Sequence, residues 1–105
     1  MSVNKIIKHT AYKNGIKKLK RKHQNDVLID IKETVKKLVN YEITYQKHNH
    51  QLKGGLKGYN DLHIRGDIIL IYKYENNKLH LILHNVGSHK DVLEDLEFLN
   101  RMLTI

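Results

Sequence analysis

Apolar positions in the first forty residues recur at helical spacing. Tyr12, Ile16, Leu19 and His23 share one face of a helix over about 9–22. Lys13, Lys17, Lys18, Lys20, Arg21 and Lys22 cover the rest of it, so this helix is amphipathic and strongly basic. A second helix, over about 25–40, buries Val27, Leu28, Ile31, Val35, Leu38 and Val39, with Asn25 or Asp26 as its N-cap. The short link between them predicts an αα-hairpin, and residues 2–7 ahead of it read as a short strand. Residues 42–58 are polar, carry Gly54, Gly55 and Gly58, and read as a loop.

Beyond that loop the period drops to two. Gly58 to Ile64 and Asp67 to Tyr74 alternate as strands joined by a tight turn around Arg65-Gly66. Leu70, Tyr72 and Tyr74 take one face, Ile69 and Ile71 the other. Asn76-Asn77 is a hairpin turn, because Asn tolerates positive φ. Lys78 to Val86 is the next strand, with Leu79, Leu81 and Leu83 inward and His80, Ile82 and His84 on the opposite side. Gly87 breaks it, and Ser88 caps a last helix whose stripe is Val92, Leu96, Leu99 and Leu103. The order predicts an α+β sandwich, two N-terminal helices on one face of a twisted, mainly antiparallel sheet plus a C-terminal helix. The other sheet face is expected to stay open for a ligand.

Composition narrows the classes. The 105 residues read as one domain, 1–105, and 40% hydrophobic residues suit a globular core. No cysteine is present, which excludes disulfides, thiolate metal sites and a cysteine nucleophile. No apolar run has the length of a membrane span, and no apolar segment follows the first lysines as in a secretory signal, so the cytoplasm is expected. Lys and Arg number 19 against 11 Asp and Glu, a net charge of +8 with the eight histidines neutral. Such a surface suits polyanions or an acidic protein. It equally suits a soluble basic protein without such a partner.

Histidine titrates near neutrality and serves proton transfer or metal binding. His50 lies on the glycine-rich loop, His63 ends one strand, Asp67 starts the next, and His89 begins the last helix. With Gly66 at the positive-φ position of a three-residue hairpin loop, residues 63 and 67 would stand opposite each other, about 5 Å apart. Paired proton donors and acceptors are what phosphodiester cleavage needs. Singly, each is more often a surface or satisfied core histidine, or, for Asp67, a turn residue or a partner of Arg65. Three histidines also suit zinc. His48-Asn49-His50 spells a nuclease motif only superficially. Lys53 and Lys57 flank glycines and suit phosphates or a merely solvated loop. No phosphate-binding glycine loop, dinucleotide fingerprint or HExxH helix occurs.

The stretch His50-Gln-Leu-Lys-Gly-Gly-Leu-Lys-Gly-Tyr-Asn-Asp-Leu-His63-Ile-Arg-Gly-Asp67-Ile-Ile-Leu-Ile-Tyr-Lys73 resembles the YafQ branch of the RelE/ParE-type bacterial toxins, and Val86-Gly87-Ser88-His89 is similar to the branch's Gly-(Ser/Thr)-His segment. The N-terminal half agrees only in placing two helices after a strand. The resemblance implies a RelE-like, microbial-ribonuclease-type fold and a toxin that cleaves messenger RNA in the ribosomal decoding site. It implies a cognate antitoxin, with an acidic segment wrapping the toxin, and no cofactor or metal. His50, His63, Asp67 and His89 match the family's catalytic positions. His50 or Asp67 would be the base, His89 the acid, and His63 would steady the phosphate. Lys53, Lys57, Arg65 and Leu93 are the expected RNA contacts, together with the basic first helix.

Departures from the pattern are Gln51 and Gly66 for prolines, Ile68 for a Trp and Leu93 for a Phe, the last two weakening base stacking. The chain continues past the family's usual end. The tail from Glu94 to Ile105 would complete the core, mediate dimerisation or cover part of the active face. Two other classes compete with the ribonuclease: a non-catalytic relative that inhibits gyrase or binds RNA, and a metal nuclease using His50, His63 and His89.

Overall fold

The two N-terminal helices form where their apolar stripes predict. In the computed structural model, which describes residues 2–43, 49–51 and 58–103, a short strand β1 (Lys5–Lys8) leads into helices α1 (Thr10–Arg21) and α2 (Asn25–Val39). Strands β2 (Asn49–Gln51), β3 (Asn60–Arg65), β4 (Ile68–Glu75) and β5 (His80–Ser88) follow, and helix α3 (His89–Leu103) is the last described element. The sheet order is β1-β5-β4-β3-β2, with β1 parallel to β5 and every other pair antiparallel. No helix among the described residues is long and apolar enough to cross a membrane.

The main core lies between the helix pair and the sheet. Tyr12, Leu19, Ile31 and Leu38 meet Leu62, Leu70, Tyr72, Leu81, Leu83 and Val86, all nearly sealed from solvent. Leu83 and Val86 reach the same face although they are three apart. A bulge makes this possible: Ile71 pairs with Asn85 but Tyr72 with Leu83, so His84 is the extra residue and the alternation flips. A second bulge in β3 skips Ile64, since His63 pairs with Ile69 and Arg65 with Ile68.

Both N-terminal helices end alike. After α1, His23 takes φ +55°, its N–H donating to Lys20 O and that of Gln24 to Leu19 O. After α2, Tyr41 takes φ +57°, its N–H donating to Leu38 O and that of Glu42 to Lys37 O. These are paired 5→2 and 6→1 bonds that satisfy the last helical carbonyls. His23 therefore terminates α1 and does not extend its stripe. The residue preceding α2 is Gln24, and neither Asn25 nor Asp26 is its N-cap.

Other expectations are corrected. Residues 49–51, within the expected loop, form the edge strand β2. Gly87 does not break β5, which runs through Ser88. Three consecutive residues, Asn76, Asn77 and Lys78, hold positive φ in the β4–β5 turn, so β5 starts at His80. The second sheet face is partly covered: Val92 and Leu96 of α3 pack on Ile69 and Ile71, with Tyr59 beside them. The start of the tail thus completes a second, smaller core.

Candidate active site at the α3 end of the sheet

The β3–β4 hairpin sets the positions of the candidate groups. Its loop has two residues, Gly66 (φ +57°) and Asp67, between the paired Arg65 and Ile68. Asp67 is therefore in the turn, and His63 faces Ile69. The three-residue loop with residues 63 and 67 opposite each other is not what forms, because the bulge at Ile64 shifts the register.

Asp67 gains a different neighbour. Its carbonyl accepts the backbone N–H of His89 at 2.7 Å, tying the hairpin turn to the start of α3. His63, Ile69 and Gly87 are register partners across three adjacent strands. That puts the backbones of His63 and Gly87 roughly 10 Å apart, with His89 two residues beyond. Residue 50 pairs with Asp61, two residues before His63. The backbone positions of His63, Asp67 and His89 thus lie toward the hairpin end of β3 and β4, whereas residue 50, paired near the start of β3, stands away from that end. The side chains of His63, Asp67 and His89 are exposed.

The first turn of α3 is braced. Ser88 Oγ accepts the Asp91 N–H at 3.2 Å, which bears out Ser88 as the cap. Asp91 carboxylate accepts from Lys18 Nζ of α1 at 2.5 Å. The Lys18 ammonium holds the Asp91 carboxyl below the usual carboxylate range, with Ser88 helping. The His89 and Asp91 N–H groups at this helix start are thus already taken, and its dipole still favours an anion beside it.

A cleft of about 700 Å³ opens between α1, the end of β5 and this first turn. Lys18, Arg21, Lys22, Asp67, Ser88 and Asp91 line it. Among the described side chains, Asp67 is the one predicted catalytic residue on its wall; His63 and His89 do not line it. Arg65 turns toward α2, its Nε 2.8 Å from Asp30 and a terminal nitrogen 3.9 Å from Asp26. Leu93 is 40% exposed on α3. Lys53 and Lys57 lie outside the described residues.

Sequence reasoning missed two groups. One is the Lys18–Asp91 brace, which joins residues 73 positions apart and leaves no local signal. The other runs over the sheet: His9 and Tyr59 flank the buried His84 at ring distances of 5.1 and 5.0 Å, and Lys73 Nζ sits 4.4 Å over Tyr59. Lys73 also donates to Glu75 at 2.8 Å, and this carboxylate holds the Lys73 ammonium above its ordinary value. The broken alternation between Leu83 and Val86 was the signal for the bulge that places His84. Among the described residues no three His, Cys, Asp or Glu side chains are grouped to hold a metal ion.

The family model for the bacterial toxin YafQ of type II toxin–antitoxin systems matches residues 4–94. No curated protein matches the chain. Among solved structures, the DinJ–YafQ toxin–antitoxin complex of E. coli is 28% identical, covering 87% of this chain and 97% of that one, with a TM-score of 0.69. A mutant of E. coli YafQ is 26% identical over 83% of this chain and 94% of that one, with a TM-score of 0.71. The YoeB/ParE toxin of Agrobacterium tumefaciens, 14% identical, shares the fold with a TM-score of 0.70, covering 81% of this chain and 98% of that one.

Proposed function

The chain belongs to the YafQ family of bacterial toxins of type II toxin–antitoxin systems, and on that premise we propose that it cleaves messenger RNA on the ribosome by metal-independent acid–base catalysis. The observation that carries this reading is the His89 N–H to Asp67 C=O hydrogen bond. It brings the helix start bearing one imidazole to the turn that follows the strand bearing another. The cytoplasm is where its substrate would be met, and a cognate antitoxin is its partner, as in the E. coli DinJ–YafQ complex.

In this reading the ribose 2′-oxygen attacks the adjacent phosphorus as the bond from phosphorus to the 5′-oxygen breaks. His50 or Asp67 takes the 2′-proton, and His89 delivers a proton to the departing 5′-oxygen. The products are a 2′,3′-cyclic phosphate and a 5′-hydroxyl. His63 steadies the phosphate. The α3 N-terminus adds a fixed positive potential where charge builds on the phosphorane. Lys53, Lys57, Arg65 and Leu93 are the proposed RNA contacts, with Arg65 leaving Asp30 to make one.

Primer extension on translating ribosomes tests this. Wild type is expected to produce new cuts within translated messages, and His89→Ala to slow them at least 100-fold, the usual loss of a general acid. Equal growth arrest by both proteins without cuts would favour the gyrase-inhibitor or RNA-binding alternative. Loss of cleavage in EDTA, in a system not itself needing Mg²⁺, would favour a metal nuclease.

A further inference from the structure

His89, the acid proposed above, is the first residue of α3, so its aim depends on how that helix start is held. Contacts from separate parts of the chain hold it. The His89 N–H donates to the Asp67 carbonyl at 2.7 Å. Val92 is buried against Ile69 and Ile71 of β4. On the remaining side, Asp91 accepts from the Lys18 ammonium of α1 at 2.5 Å. Helix α1 serves as an anchor because it is itself fixed. Gly15, about one turn before Lys18, sits where any Cβ would run into the Val86 carbonyl of β5.

Helical residues two apart stand about 200° from each other around the axis. Asp91 turns toward α1 and lines the cleft, whereas His89 does not line it and is exposed. The Asp67 bond fixes one point of the backbone and leaves rotation of the turn free. The apolar Val92 contact is not directional. The Lys18–Asp91 pair is directional, so it sets that rotation and with it the direction of the imidazole. As a stabiliser the pair is weak, because both side chains are about 40% exposed and water screens them. Resting on the ribonuclease reading above, we propose that Lys18 is a positioning residue: through Asp91 it holds the first turn of α3 so that His89 is aimed at the departing 5′-oxygen. Lys18 does this without touching RNA. Its loss leaves binding in place and slows proton delivery, since a shift of about 1 Å in a reacting group costs on the order of 100-fold.

Single-turnover cleavage on ribosomes stalled over a short message tests this, the message carrying one cut site mapped with the wild type. Lys18→Met is expected to lower the rate constant roughly 10- to 100-fold and to leave the half-saturating toxin concentration unchanged. Asp91→Ala should match it, and the double variant should be no slower than either single, because all three remove the same contact. The deciding substrate has sulfur in place of the bridging 5′-oxygen. A thiolate departs without a proton, so neither the acid nor its aim matters there. On that substrate Lys18→Met, Asp91→Ala and His89→Ala are all expected to cleave at the wild-type rate. A Lys18→Met deficit that persists on sulfur while His89→Ala recovers overturns the proposal and leaves the reaction intact. So does an unchanged rate in Lys18→Met. So does a raised half-saturating concentration in Lys18→Met with a normal Asp91→Ala, which makes Lys18 an RNA contact. Circular dichroism checks folding; if Lys18→Met does not fold, Asp91→Ala on the two substrates decides. A His89→Ala deficit that persists on sulfur overturns the acid assignment itself, and a wild type that cuts neither message overturns the ribonuclease reading.

Discussion

At Gly15, α1 lies so close to β5 that a Cβ would stand 2.0 Å from the Val86 carbonyl oxygen. A helical Gly gives up about 1 kcal/mol relative to Ala, yet Gly15→Ala is expected to destabilise. The new methyl meets backbone, so α1 must lift from the sheet; overpacking of this kind costs about 1–3 kcal/mol. A thermal melt should fall by roughly 10 °C. Asp91 permits a pH test. Lys18 depresses its carboxyl in the folded state, so the unfolded chain binds the proton more tightly. The pair's contribution is fully present above the unfolded Asp value near ~4, and it is lost as pH falls through the lower folded value. Asp91→Asn should therefore melt below wild type at pH 6, with the gap closing at an acid pH below the folded Asp91 value. The gap is small, because both side chains are about 40% exposed and water screens them. Equal gaps at both pH values would show that the brace is not electrostatic.

Terminating a helix with a non-glycine residue in the left-handed region costs about 1–2 kcal/mol, and α1 bears this cost at the exposed His23. Against Gly's greater entropy in the unfolded chain, His23→Gly is expected to gain about 0.5–1 kcal/mol and raise the melting temperature by a few degrees. No gain would mean that His23 makes a contact offsetting the strain. The helices themselves were legible, since each stripe repeats several times and one misplaced residue cannot mask it. The sheet was legible in its strands but not in its register. The bulge at Ile64 and the two-residue loop at Gly66-Asp67 move Asp67 out of line with His63, and local sequence does not choose between loops of two and three residues. β2 was missed because three polar residues carry no period. At the candidate site, the residue types could be read from the chain, but the His89–Asp67 tie and the Lys18–Asp91 brace are tertiary and could not.

On the scale of the whole molecule, α1 divides the positive charge between two surfaces. Lys13, Lys17 and Lys20 line an apolar groove along α1 and α2, floored by Ile16, Leu28 and Val35, whereas Lys18, Arg21 and Lys22 line the cleft that Asp67 shares. The first set stands over hydrocarbon, the second near the proposed cleavage end. If RNA enters through the cleft, its phosphates displace counterions there, and affinity falls with salt in proportion to the charges engaged. Arg21→Gln/Lys22→Gln is therefore expected to weaken ribosome association and to flatten the plot of log K against log[salt] by about 1.5, two charges at roughly 0.7–0.9 each. Lys13→Gln/Lys17→Gln should leave that slope unchanged. The measurement is ribosome association from 50 to 200 mM salt, using the His89→Ala background so that message is not consumed. Equal flattening by both pairs would mean that the basic helix acts as one undivided RNA-binding face, with no division of labour across α1.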